Sequence, residues 1–126
     1  PLDEAPMPPV PPQYWSPASA DDVDFYWLSL SQWIPPDDTI LTPSAAVTPI
    51  TDDPMPLEVV PGSVVVETGD RRVYVPPGVP VIDPGPRIRM QMQGGTFGKT
   101  YTTTITWTDS QGRTINRQAL LTIQWP

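Results

Sequence analysis

The chain has 126 residues, a length that suits one domain with a single hydrophobic core. It carries 7 Lys and Arg against 14 Asp and Glu, and the net charge of −7 disfavours nucleic acid and anionic membranes as partners. The absence of cysteine and histidine excludes a disulfide framework, thiolate metal sites and the commonest general base.

Residues 1–20, PLDEAPMPPVPPQYWSPASA, are set apart by their proline content. Each proline removes a backbone donor and fixes φ, so neither a helix nor a central strand is expected there. We predict a proline-rich extended arm over residues 1–20, followed by a β domain over residues 21–126.

The arm contains two adjacent aromatic residues that can serve as an apolar anchor. We expect the arm to lie on a neighbouring subunit and to dock these aromatics there. A solvated tail remains an alternative, as does a PxxP ligand formed by residues 8–11 for an aromatic groove. The candidate interface residues are Pro8, Pro9, Pro11, Pro12, Tyr14 and Trp15.

Residues 23–34, VDFYWLSLSQWI, are predicted to form a strand rather than a short helix. Aromatic residues dominate the segment and Pro35-Pro36 end it, although its apolar residues do not alternate cleanly. A polar turn at 37–39 then leads into a strand that begins at Ile40, with a further short strand or edge at 47–50.

Residues 57–75 predict two strands about a tight turn. We expect residues 64–67 to pair with residues 72–75, because Gly69 supplies the positive φ that a short hairpin requires. Residues 76–86 are too proline-rich for a central strand and predict a surface loop or an extended edge segment. The arginines at 71, 72, 87 and 89 are predicted surface charges, with pairing to an acidic neighbour as the alternative.

The last third of the chain has the clearest strand pattern. Residues 88–92, 101–108 and 115–124 each alternate apolar and polar side chains and are joined by glycine-containing turns, which predicts an antiparallel sheet. Several short strands at this spacing favour a β-sandwich or small barrel. The predicted core residues are Trp27, Tyr101, Ile105, Trp107, Leu121 and Ile123.

Gly98-Lys99-Thr100 matches the end of a phosphate-binding Walker A loop. The first glycine of that motif should stand at position 93, which is Gln93, and the loop should open a helix. The residues that follow, YTTTITWT, strongly favour a strand instead. We therefore predict a turn at this position.

Carboxylates are the main candidates for chemistry, in clusters at residues 21–24, 37–38 and 52–53. A hydrolase needs two carboxyl groups facing one cleft with separated pKa values, but all three clusters fall in predicted loops. We interpret them as solvated turn or cap residues, with a calcium site at Asp21, Asp22 and Asp24 as the alternative. No catalytic, cofactor or metal residue is predicted, and the chain is not expected to be an enzyme.

The stretch from Gly94 to Ile123, GGTFGKTYTTTITWTDSQGRTINRQALLTI, resembles the C-terminal hairpin of small tailed-phage virion proteins, the fibre-tail adaptor or neck proteins. The shared pattern is Gly-Gly-Thr-x-Gly-x-Thr-Tyr, a threonine-rich strand, a Gly-Arg turn at 112–113 and a final alternating strand. The aromatic residues 25–27 and the segment 38–40 resemble that family's first strand and turn. The long proline arm and the 76–86 segment depart from it.

This resemblance implies an immunoglobulin-like antiparallel β-sandwich located in the virion, in the phage tail or neck. It implies several copies in a symmetric assembly, with other tail or neck proteins as partners, no cofactor and no chemistry. A receptor- or carbohydrate-binding module, with Trp15, Trp33 or Tyr74 as a sugar platform, is the alternative.

Overall fold

The computed structural model describes residues 12–15, 17–19, 23–30, 39–75 and 79–125. All regular secondary structure in these ranges is β-strand, and most neighbouring strands are antiparallel. The predicted all-β class is therefore confirmed for the part of the chain that is described.

The first sheet is built around the two longest strands at the end of the chain. The hairpin of β10 (Thr100–Thr108) and β11 (Thr114–Trp125) is flanked by β4 (Leu41–Val47) on the β10 side. The short strands β1 (Gln13–Tyr14) and β2 (Ala18–Ser19) run parallel to β11 along its other side.

The second sheet has β9 (Arg87–Gln93) at its centre. β3 (Asp24–Ser29) pairs with one edge of β9 in the antiparallel sense. β5 (Glu58–Val59) and β6 (Val65–Glu67) pair with β9 in succession, also antiparallel.

A separate two-stranded ribbon pairs β7 (Arg71–Val75) with β8 (Val79–Asp83). The predicted hairpin between residues 64–67 and 72–75 is therefore wrong, because β6 pairs with β9 and β7 pairs with β8. Gly69, with a φ of 90°, turns the chain out of the sheet instead of closing a hairpin. Within 76–86, residues 79–83 form an extended strand of the ribbon, and residues 76–78 lie outside the described residues.

The inner faces of the two sheets meet in one hydrophobic core. Alternation along each strand sends every second side chain inward, so the apolar residues of β9, β10 and β11 converge there. The predicted alternation at 88–92 is observed, with Ile88, Met90 and Met92 all buried. The core also holds five of the residues predicted for it: Tyr101, Ile105, Trp107, Leu121 and Ile123.

The prediction that Trp27 belongs to the core is wrong. In β3 the inward positions belong to Tyr26 and Leu28, which leaves Phe25 and Trp27 on the outer face of the second sheet. The physical reason is the two-residue period, since one strand cannot send adjacent Trp27 and Leu28 to the same side.

The described part of the predicted arm belongs to the β domain. Gln13 pairs with Ala119 and Ala18 pairs with Ile123, so this segment extends the first sheet. Trp15 and Ala18 are buried in the core. The boundary predicted after residue 20 thus does not separate these residues from the domain, because β11 offers a free edge and the core accepts the Trp15 ring.

Candidate functional site

The outer face of the second sheet carries a cluster of aromatic and charged side chains. Trp27 and Arg89 are opposite each other on β3 and β9, and the neighbouring row places Ser29 beside Arg87 and Glu67. All of these side chains point away from the core because they share the same parity along their strands. The ribbon β7–β8 approaches this face from outside.

Glu67 connects the members of this cluster. Its Oε1 accepts hydrogen bonds from Trp27 Nε1 at 3.1 Å and from Arg87 Nε at 3.0 Å. Its Oε2 lies 2.9 Å from Arg89 Nη1. Burial acts to raise the pKa of Glu67, but the hydrogen bonds from Arg87 and Trp27 and the nearby positive charges outweigh it and lower this pKa overall.

Arg87 fastens the base of the ribbon to the sheet. Its Nη1 donates to the carbonyl oxygen of Gly69, just before β7, at 2.8 Å and lies 3.8 Å from Asp83 Oδ2, at the end of β8. Asp83 in turn accepts from Ser29 Oγ at 3.1 Å. Arg87 is only 5% exposed, which corrects the prediction that it is a surface charge. The ribbon covers the outer face at this row and so buries it.

Two arginines lie over the aromatic rings of β3. The guanidinium of Arg71, from the ribbon, lies 3.7 Å from the ring centroid of Trp27. The guanidinium of Arg89 lies 4.8 Å from that of Phe25. These distances are typical of cation–π contacts. Trp27 is therefore held between Glu67 and Arg71, which explains how a tryptophan is stable on an outer face.

An open groove of about 410 Å³ lies beside this cluster, between β1, β3 and the start of the ribbon. Trp15 is fixed next to it, because Trp15 Nε1 donates to the Trp27 carbonyl at 3.1 Å and its ring lies 4.9 Å from that of Tyr26. Gln13 Nε2 donates to the same carbonyl. The groove is lined by Gln13, Tyr14, Trp15, Pro17, Asp24, Phe25, Tyr26, Trp27, Arg71 and Val73.

The predicted interface residues do not share one environment in the structure. Pro8, Pro9 and Pro11 lie outside the described residues, and Pro12 is partly buried. Tyr14 is 76% exposed at the groove, whereas Trp15 packs into the core of its own chain. Both aromatics contribute to the groove wall, but Tyr14 is exposed to solvent whereas the Trp15 ring is largely buried.

The glycine-rich turn that resembles a phosphate loop is a turn, as predicted. Lys99 N donates to the Thr96 carbonyl at 3.1 Å, and a strand begins at Thr100. Gly94 has a φ of 82°, and a Cβ there would lie 2.7 Å from the Pro56 carbonyl oxygen, so glycine is required. The local chemistry is that of a closely packed corner.

Asp53 anchors this corner to β10. It accepts hydrogen bonds from Tyr101 Oη, at 2.6 Å, and from Thr96 Oγ1. Burial acts to raise the pKa of Asp53, but these two hydrogen bonds, a third from the Met55 backbone and the charge of Lys99 together outweigh it and lower the pKa overall. Burial and the bond to Asp53 raise the pKa of Tyr101. Asp53 is thus a turn-capping residue, as predicted, since it also accepts from Met55 N at 3.3 Å, and it additionally ties the corner to β10.

The other carboxylate clusters bring no further groups together within the described residues. Of the calcium alternative only Asp24 is described, and it is exposed, while Asp21 and Asp22 lie outside the described residues, as does the 37–38 cluster. Across the described ranges, no three Asp, Glu, His or Cys side chains are grouped as metal ligands. No described helix has the length and hydropathy to cross a membrane.

Sequence reasoning missed the groove and the burial of Arg87. The one available signal was the pair Phe25 and Trp27 at two-residue spacing, together with Arg87 and Arg89 at the same spacing. The pairing of β3 with β9, which sets Trp27 opposite Arg89 and Ser29 opposite Arg87, is not encoded locally. No protein-family model and no curated protein matches this chain.

Proposed function

We propose that this chain is a structural assembly protein of a tailed-phage virion. It acts in the tail or neck as an immunoglobulin-like β-sandwich, present in several copies, and joins other tail or neck proteins through contacts without chemistry. Neither a catalytic group nor a cofactor belongs to this proposal. The sequence resemblance of residues 94–123 supplies the location in the virion.

Strand order supports the immunoglobulin-like part of the proposal. The second sheet has the order β3-β9-β5, with β6 also on β9, and the first has β11-β10-β4. With β3 as strand B, these orders correspond to B-E-D and G-F-C of the constant-type immunoglobulin sandwich. The ribbon β7–β8 is then an insertion between strands D and E. Because this fold serves many functions, the assembly role needs separate support.

The observation that carries the assembly role is the exposed ribbon. Val81 is 53% exposed and its neighbour Ile82 is 51% exposed. Adjacent strand residues point to opposite faces, so β8 presents an aliphatic side chain on both sides. A two-stranded ribbon is marginal alone in water, and exposed apolar residues commonly mark contact with another protein. A partner that encloses the ribbon from both faces would cover both side chains.

A charge-insertion experiment tests this role. Val81→Asp with Ile82→Asp should leave thermal stability close to wild type but reduce recovery of the chain in purified phage particles at least about tenfold. The matched control places two carboxylates on the exposed side of β11, Thr114→Asp with Gln118→Asp, and should be incorporated normally. Equal incorporation of both variants, or absence of the wild-type chain from washed particles, would contradict the proposal.

The N-terminal arm can be tested by truncation at a position that the fold now defines. Removing residues 1–11 leaves β1, β2 and Trp15 in place, and we expect a folded chain that fails to join the particle. A truncation through residue 20 also removes core residues, so it does not isolate the function of the arm.

A glycan-binding module is the second candidate, and the groove favours it. Tyr14 and Phe25 present exposed aromatic surface next to Arg71 and Asp24, a combination that suits sugar rings and hydroxyl groups. Trp15 is buried and does not provide the platform that the sequence suggested. Trp33 and the side chain of Tyr74 lie outside what the structure describes. Retention of the intact chain on a glycan array would favour this candidate.

A further inference from the structure

We propose that the groove beside β3 binds a short stretch of the proline-rich residues 1–11 of a second copy of this chain. This inference rests on the proposed function, since it requires several copies side by side. The sequence suggested that the aromatics of the arm are the ligand; the structure places Tyr14 and Trp15 in the wall of the groove.

The lining of the groove suits a polyproline ligand. Tyr14 is 76% exposed and Phe25 is 44% exposed, and they stand beside the buried ring of Trp15. Proline-rich segments dock on such aromatic walls because polyproline II is already stiff and loses little entropy on binding. The groove volume of about 410 Å³ lies at the small end of ligand sites, so it accommodates a short stretch of chain.

Charge at the groove also matches this segment. Arg71 lines the groove, and among the described residues it has no carboxylate within salt-bridge distance. Residues 1–11, PLDEAPMPPVP, carry Asp3 and Glu4 and no basic side chain. Asp24 also lines the groove, so the acidic end of the bound segment is expected on the Arg71 side.

A second copy is the favoured source of the segment. Residues 8–11 lead directly into Pro12 and Gln13, and Gln13 is part of the groove wall. In the sequence, prolines at 8, 9, 11 and 12 fix φ at four of the five positions before Gln13, which disfavours a sharp reversal onto the groove of the same copy. The contact is therefore heterologous, with the arm of one copy in the groove of the next, and it closes into a ring when the rotation permits.

The direct test is complementation between two full-length variants. A groove variant carries Tyr14→Ala with Phe25→Ala, and an arm variant carries Pro8→Ala, Pro9→Ala and Pro11→Ala. In sedimentation velocity each variant alone should be monomeric, and an equimolar mixture should form a heterodimer, because one partner keeps the arm and the other keeps the groove. A mixture that stays monomeric, or variants that associate as the wild type does, would overturn the proposal.

A peptide titration covers weak association. A fluorescent peptide of residues 1–12 should bind the arm variant, and Tyr14→Ala in that background should weaken binding about tenfold or more. Phe97→Ala, at an exposed aromatic away from the groove, is the matched control and should leave binding unchanged. A peptide that fails to bind, or binds equally without Tyr14, refutes the inference. The inference is also refuted if oligosaccharides displace the labelled peptide completely while an unlabelled peptide of the same sequence does not displace it.

The outcomes separate this inference from the proposed function. Peptide binding in solution does not depend on a virion, so it tests the groove separately from incorporation into particles. Normal incorporation of the groove variant without peptide binding removes the groove proposal alone. Peptide binding by a chain that is absent from particles removes the virion role alone.

Discussion

Two tryptophans on neighbouring sheets show how differently this chain treats its aromatic residues. Trp107 on β10 is 1% exposed and lies between the sheets, among apolar side chains. Trp27 on β3 lies on the outer face, bonded to Glu67 and covered by Arg71. The inner face is held by burial, whereas the outer face is held by directed polar contacts that leave a groove open beside them.

The two faces of the second sheet therefore have different roles: the inner face packs in the core, and the outer face carries polar and aromatic contacts. A core that buries Ile88, Met90 and Met92 leaves β9 free to present arginines outward. Those arginines fix the ribbon and the aromatic wall of the groove. The outer face can therefore contact partners without disturbing the core.

The largest effect should come from the inner tryptophan. Trp107→Ala should lower the free energy of unfolding by about 3–5 kcal/mol, because it removes a large buried side chain and leaves a cavity. Urea denaturation measures it, with Trp27→Ala as the matched variant that should cost clearly less. Equal losses for the two variants would break the proposed contrast between the faces.

Arg87 should rank second. Arg87→Ala leaves Glu67 and Asp83 without this buried partner, and we expect a loss of about 3 kcal/mol in unfolding free energy. Hydrogen exchange should accelerate in β7 and β8, because the base of the ribbon is released. Arg89→Ala, at a more exposed arginine on the same strand, should cost less than about 1 kcal/mol. If hydrogen exchange in β7 and β8 is unchanged in Arg87→Ala, Arg87 does not hold the base of the ribbon to the sheet.

Glu67→Gln should have a smaller, pH-dependent effect. The pKa of Glu67 is lowered in the fold, so its charge stabilises the protein above the unfolded value of about 4.3, and this stabilisation is lost as pH falls through the folded pKa. The difference in melting temperature between wild type and Glu67→Gln should therefore be constant near neutral pH and shrink in acid. If the difference in melting temperature instead grew below pH ~4, the pKa of Glu67 would not be lowered by folding.

The smallest effect should be the direct coupling of Arg71 to Trp27. A double-mutant cycle with Arg71→Ala and Trp27→Ala should give a coupling energy of about 0.5–1 kcal/mol for a partly exposed cation–π pair. Substituting Arg72, which is exposed on the same strand, should give no coupling to Trp27. A coupling energy of zero between Arg71 and Trp27 would mean that their contact does not stabilise the ribbon on the sheet.

The parts of the fold that local alternation determines were predictable. Residues 88–92, 101–108 and 115–124 form strands in which the apolar side chains are buried. Trp27 was misplaced because aromatic residues on both faces of β3 obscure its period. Local sequence favoured a hairpin at Gly69, but pairing with the distant β9 prevailed.

The candidate site was less predictable than the core. The groove forms where β1 and β3 meet β7, which is far from both in the sequence. The burial of Arg87 likewise depends on a ribbon that closes over it from residues 69 and 83. Neither the groove nor the burial of Arg87 can be read from composition or residue spacing, because both depend on contacts between segments that are distant in the sequence.

The proposed assembly role requires contacts through the ribbon and the outer face of the second sheet. Cryo-electron microscopy of purified particles that contain the chain would show these contacts. We expect repeated copies with a neighbouring protein covering Val81 and Ile82. Copies bound to the particle with the ribbon and the groove both facing solvent would contradict it.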